Sequence, residues 1–221
     1  MTTLPRLTYF NFRGLAEPIR LVFADLGLSF EDNQVDFAGW EALKPQMPFG
    51  QMPRLEIGGR AIVQSQAILR HLARGHGLDG ADENQRIACD IAAEAVRDAQ
   101  SRLFDHFWAD GSTAPEAAAA YEAEGLAGQL GPLEAWLGER PFFAADRPLL
   151  ADFHALAYLD EVAAYFPRAL PPRLAALRRR MAERPGIAAY IASGRQPAAY
   201  GFDPLRGLRH GLAGVTPPPA D

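Results

Sequence analysis

The sequence predicts an α/β unit over residues 1–76 followed by an all-helical unit over 83–193. Three observations carry this. The chain opens strand–helix–strand, which in folded proteins means a parallel pair joined by a helical crossover. Gly58-Gly59 then separates two short apolar runs, the pattern of a tight hairpin whose central residues need positive φ. From Glu83 to Ser193 the pattern turns Ala-rich and helical, with no convincing strand.

Taken in order, Arg6 to Phe12 is expected as the first strand, with Leu7, Tyr9 and Asn11 on one face and Thr8, Phe10 and Phe12 on the other. Gly14 breaks it. Ile19, Val22, Phe23 and Leu26 recur at helical spacing over 16–26, with Pro18 in the first turn and Gly27 as a stop. Phe30 to Val35 is a second strand, and 36–52 a loop or short helix punctuated by Pro45, Pro48 and Gly50. Strands at 54–57 and 60–63 form the hairpin, with Pro53 at the strand entrance because it has no N–H for a ladder. A helix starts at Ser65, whose hydroxyl suits an N-cap. Residues 77–82, rich in glycine, form the linker. Helices are expected near 83–109, 115–137, 149–165, 173–184 and 186–193. The stretch 194–221, with its prolines and glycines, is expected as a tail without packed secondary structure and disordered at its end.

Composition narrows the functional classes. With 48% hydrophobic and 22% charged residues, the 221-residue chain has the make-up of a globular protein. A formal net charge of -5 argues against a nucleic-acid partner. The single cysteine, Cys89, excludes an internal disulfide and cannot build a thiolate cluster, and the five histidines share no ligand spacing, so no metal is expected. No apolar run approaches the roughly 20 residues of a membrane span and no secretory signal is visible, so a cytoplasmic location without membrane contact is expected. The basic run Arg178-Arg179-Arg180 reads as the exposed end of a helix.

Several stretches, in this order and spacing, resemble the cytosolic glutathione transferases, especially the tyrosine-using sigma and pi classes. They are Thr8-Tyr-Phe-Asn-Phe-Arg-Gly14, Trp40 with Lys44, Phe49-Gly-Gln-Met-Pro53, Gln64-Ser65 with Ile68-Leu-Arg-His-Leu72, and Asp98. The resemblance implies a thioredoxin-like domain, an all-α domain, a homodimer, and glutathione as co-substrate. It also implies a cytoplasmic detoxification role.

By this resemblance Tyr9 is the catalytic residue. On pattern alone it reads as a half-buried strand tyrosine. Free thiols titrate near ~8.5, and lowering one by about two units takes roughly 2.7 kcal/mol. One charge-assisted hydrogen bond is worth about 1.5–3 kcal/mol, so a single phenol is nearly sufficient.

The resemblance likewise implies a cis Met52–Pro53 bond, with the Met52 backbone pairing an extended peptide as an added strand. Gln51, Gln64 and Ser65 would meet the γ-glutamyl end at a helix N-terminus, and Trp40 and Lys44 the glycyl carboxylate. Asp98 would reach the partner subunit's glutathione. Each has a plainer reading: a trans proline, an N-cap, a packing indole, solvated charges. Phe49 is either core or an aromatic inserted into the second subunit. Phe10, Phe12, Phe104, Phe107 and Trp108 are expected along the pocket for a small hydrophobic electrophile. A glutathione-dependent isomerase and a non-enzymatic carrier of apolar ligands are the alternatives.

Two departures from the family pattern stand out. Leu15 follows Arg13-Gly14 where an arginine commonly supports the thiolate, and that favours the carrier; Arg13 has a mainly structural family role. Leu149 stands where the capping box before Asp152 usually begins with Ser or Thr, a loss of about 1 kcal/mol.

Overall fold

The computed structural model describes residues 4–108 and 115–201. Strand β1 (Arg6–Phe10) pairs in parallel with β2 (Glu31–Val35) and antiparallel with β3 (Arg54–Ile57). β3 in turn pairs antiparallel with β4 (Arg60–Val63), giving the order β2-β1-β3-β4. This is the expected thioredoxin-like sheet. Its hairpin turns at Gly58 and Gly59, with φ of 56° and 75°. Leu7, Tyr9 and Leu55 face the core, where α1 (Glu17–Asp25) packs against α3 (Ser65–His76). The stretch between the βαβ and ββα halves contains a short helix, α2 (Phe37–Leu43), started by the Asp36 carboxylate accepting from the Gly39 N–H at 2.7 Å.

Beyond Leu78 the described chain is helical: α4 (Glu83–Trp108), α5 (Pro115–Ala120), α6 (Ala127–Leu137), α7 (Leu150–Tyr165), α8 (Pro172–Ala182) and α9 (Pro185–Ala192). The helix expected over 115–137 is not a uniform one. A π segment, Tyr121–Leu126, joins α5 to α6. Its wide turn lays the Tyr121 ring on His106 with centroids 3.8 Å apart, and the Gln129 amide donates to the Tyr121 hydroxyl at 2.9 Å.

Helix α7 is the post of the molecule. Leu150 to Val162 is buried on every face, and α7 packs against α1, α3, α4 and α8. Buried polar groups need partners, and these have them. The Asp152 carboxylate accepts from the Phe143 and Leu149 N–H groups at 3.0 and 2.8 Å. Burial still pushes its carboxyl up to about 6. His154 Nε2 donates to Gln100 Oε1 at 3.0 Å, and its Nδ1 accepts from the Gln66 amide at 3.1 Å. Burial drives this imidazole down to about 3, so it stays neutral. The loss expected from Leu149 is thereby tempered. Leu149 supplies no side-chain cap, but Asp152 satisfies its N–H, and the Asp152 N–H donates to the Leu149 carbonyl at 3.0 Å.

The two units are stapled together. Leu78 is buried, with its carbonyl accepting from the Leu150 N–H at 2.8 Å. Arg184 makes a bidentate pair with Asp25 at 2.6 and 2.8 Å. The segment 194–201, expected to carry no packed secondary structure, holds neither helix nor strand, and its backbone meets the turn after β1. The N–H groups of Arg13 and Gly14 donate to the Ala199 and Tyr200 carbonyls, both at 2.8 Å. The Arg13 guanidinium donates to the Pro197 carbonyl at 2.8 Å and lies 4.0 Å from the Tyr200 ring centroid. The remainder of the tail lies outside the described residues.

Candidate functional site

Seven of the residues singled out in the sequence, Phe10, Trp40, Gln51, Met52, Pro53, Gln64 and Ser65, line one cleft of about 330 Å³ beside the sheet. Leu15, Gly50 and Arg97 complete it. The β1–β3 ladder ends at Thr8↔Arg54, so Met52 lies just past the last ladder pair. The Met52–Pro53 peptide is cis, as expected.

Tyr9 ends the buried face of β1, 6% exposed. Its hydroxyl accepts from the Leu15 N–H at 3.1 Å. A phenol has one proton to give, and this acceptor bond leaves that proton free for another group. Burial raises the phenol to about 12 against the opposing pull of the Leu15 N–H and of the Arg20 and Arg97 charges. Tyr9 is therefore a protonated donor over the whole neutral range. Gly14 makes this approach possible: a Cβ there would lie 2.7 Å from the Tyr9 oxygen, and its φ is +41°.

The far wall is the start of α3. Gln64, with φ of 69°, occupies the N-cap position, and its carbonyl accepts from Ile68 at 3.0 Å. The expectation that Ser65 is the N-cap is corrected here: Ser65 is the first helical residue. Its hydroxyl accepts from Arg97 Nη1 at 3.3 Å instead of bonding the helix's own N–H groups. Gln64 donates its amide to Gln51 at 3.1 Å, bridging the two sides of the cleft. Phe49 also has positive φ, 62°, and is 77% exposed, so it is not core in this chain. Non-glycine residues held at positive φ concentrate at functional sites.

Trp40 lies edge-on to Phe10 at 5.8 Å, and Phe10 stacks on Phe12 at 5.2 Å. Lys44 is outside the cleft lining but lies along Gly50, its Cε 3.6 Å from where a Cβ would sit. Asp98 is exposed on α4. Phe104 is half-buried, and Phe107 packs on Tyr165 at 4.3 Å. The Trp108 side chain lies outside the described residues. Arg97 escaped the sequence reading because an arginine on a polar helix looks solvated. Its one signal was adjacency to Asp98. Among the described residues no three His, Cys, Asp or Glu side chains gather as a metal site, and no helix is long and apolar enough to cross a membrane.

Residues 5–74 match the glutathione S-transferase N-terminal domain and residues 97–194 the C-terminal domain of the same proteins. This chain belongs to the glutathione S-transferase family. Glutathione S-transferase P of Caenorhabditis elegans is 37% identical over 84% of this chain and 91% of its own. Hematopoietic prostaglandin D synthase of Gallus gallus is 35% identical over 84% and 94%. Among solved structures, the Onchocerca volvulus Pi-class glutathione S-transferase superposes with a TM-score of 0.80 at 34% identity, covering 86% of this chain and 93% of the other. The transferase fold thus spans both units, with the cleft lined by the N-terminal one and by Arg97 of the helical one.

Proposed function

We propose that this chain conjugates glutathione to small apolar electrophiles, with Tyr9 holding the thiolate. The observation that carries this is the Tyr9 hydroxyl, which takes the N–H of Leu15, a residue of the cleft lining, at 3.1 Å and keeps its own proton to donate. In the reaction, the glutathione thiol loses its proton to solvent. The sulfur lone pair then forms the S–C bond, and the carbon–leaving-group bond breaks with its electron pair. The glycyl carboxylate lies toward Trp40 and Lys44, the cysteinyl backbone along Met52, and the γ-glutamyl end at Gln51, Gln64 and Ser65. Phe10, Phe12, Phe104 and Phe107 are the side chains assigned to the electrophile in this reading.

The working unit in this reading is a cytoplasmic homodimer with a detoxifying role, in which Asp98 serves the partner's glutathione. Phe49, Ile87 and Ile91 are exposed by 77%, 50% and 46%, apolar surface that a second subunit would cover in this reading. Sedimentation is expected to give twice the 24.1 kDa chain mass, and Ile91→Asp to shift it toward the monomer. A wild-type monomer would remove the dimer.

The likeness to a prostaglandin D synthase favours a second reading, a glutathione-dependent isomerase. Stoichiometry separates them. With an activated aryl halide, one glutathione is expected to vanish per product. Turnover of an endoperoxide with glutathione fully recovered, and none with the halide, would support the isomerase instead.

A further inference from the structure

We propose that Arg97 is a specificity-determining residue that binds the α-carboxylate of the γ-glutamyl end of glutathione, reaching from α4 into the cleft of its own chain. This rests on the glutathione reading of the cleft and extends it to a residue on the helical unit.

Most half-buried or buried guanidiniums here meet a carboxylate, and Arg13 instead meets the Pro197 carbonyl and the Tyr200 ring. Arg20, Arg54, Arg178 and Arg184 each have a carboxylate within 3.0 Å. Arg97 lines the cleft, yet among the described residues it makes no ion pair; its bond is the 3.3 Å donation to the neutral Ser65 hydroxyl. A guanidinium is a planar fork of five donors suited to bidentate capture of a carboxylate, and one bond to a hydroxyl leaves most of that fork unused. The same spot receives the first N–H groups of α3, which have no intrahelical acceptor and carry partial positive charge. Cation, hydroxyl and helix mouth therefore converge on one place that wants an anion.

A second cation, Lys44, lies along Gly50, another residue of the cleft lining. A tripeptide with a carboxylate at each terminus thus meets two cations beside one cleft. Helix geometry adds a division of labour. Arg97 and Asp98 are about 100° apart around α4; Arg97 turns into its own cleft while Asp98 is exposed. The carboxylate and the amino group of one γ-glutamyl end would then be held by different subunits. Arg97 also acts on Tyr9, where its charge favours the ionised phenol over the neutral one. The same field favours a thiolate there, so a cation from α4 partly replaces the arginine that Leu15 displaces.

The test is a cycle between two changes. One is Arg97→Gln, which keeps a donor for Ser65 but no charge. The other is the tripeptide 4-aminobutanoyl-Cys-Gly, which keeps the amine and lacks only the α-carboxylate. Wild type with glutathione is the reference. Each change alone is expected to raise KM about ten- to hundred-fold, the range of one charged hydrogen bond, with kcat at saturation moving less. Together they are expected to cost little more than either alone. Arg97→Lys, with the charge retained, is expected to fall between, and thermal melts of both variants to match wild type. Losses that multiply in the double combination would overturn the role of Arg97 while leaving the glutathione site intact. A wild type that does not use glutathione would instead remove the reading beneath it.

Discussion

Tyr9→Phe is expected to lower the conjugation rate with an activated aryl halide about ten- to hundred-fold. The estimate follows from deleting one hydrogen bond to a charged sulfur, about 1.5–3 kcal/mol. The variant keeps the ring and its edge-on contacts with Phe10 and Phe12 at 5.7 and 5.4 Å. The fold should persist, although the Leu15 N–H loses its acceptor. The pH profile gives the sharper readout. In wild type the phenol, raised to about 12 by burial, remains a donor throughout the working range, so the titration seen in kcat/KM belongs to the thiol. Without the donor the thiolate is less favoured, so the profile should move up by about 1–2 pH units, at 1.36 kcal/mol per unit. Activity should then recover at alkaline pH. Equal rates and an unmoved profile would take Tyr9 out of the chemistry.

Arg20→Met is expected to be the most damaging single change to stability, at about 3–5 kcal/mol. Arg20 is fully buried. Its guanidinium donates to Asp32 at 3.0 Å, to Glu17 at 3.4 Å, and to the carbonyls of Phe12 and Arg13 at 3.1 and 3.4 Å. It therefore ties β2 and α1 to the turn that carries Gly14 and Leu15 against Tyr9. Methionine fills much of the volume but leaves the Glu17 carboxylate, 2% exposed, with only Tyr190 and Gln196 at 3.4 and 2.9 Å. Thermal unfolding should fall by about 6–20 °C, at 2–4 °C per kcal/mol for a chain of this size.

The pH dependence has a definite sign. Burial already raises the Glu17 carboxyl above its ordinary value, and Arg20 is the largest force holding it down. Removing Arg20 raises it further. A carboxyl raised in the folded state contributes stability below its unfolded value and loses it as pH climbs through the folded one. The deficit of the variant should therefore be smaller near about pH 5 than near about pH 8. Adding Glu17→Gln should return part of it. A deficit independent of pH would mean that lost packing, and not a stranded carboxylate, dominates.

Much of this was readable from the linear chain because it depends on near neighbours. The strand from Arg6, the helix bearing Ile19, Val22 and Phe23, and the Gly58-Gly59 hairpin follow from periodicity and backbone freedom within a few residues. The cleft residues from Trp40 to Ser65 were legible through the family resemblance, whose motifs keep their order and spacing along one short stretch. The π segment at Tyr121 was not: the ring it stacks on, His106, belongs to another helix. Nor was the packing of 194–201: its composition predicts the absence of helix and strand but not that its carbonyls meet the Arg13 and Gly14 N–H groups.

From its amino acids alone this protein had a fold class and, by family resemblance, a candidate thiolate-holder in Tyr9 and a peptide-binding edge at Met52. Folding in three dimensions added the direction of side chains. It turned Arg97 toward Ser65, pointed the Leu15 N–H rather than its side chain at the phenol, and left Phe49 in solvent. Spacing along a chain sets which residues share a helix or strand face. How that face is rotated, and what meets it from a distant segment, is set by the packing of all the elements together.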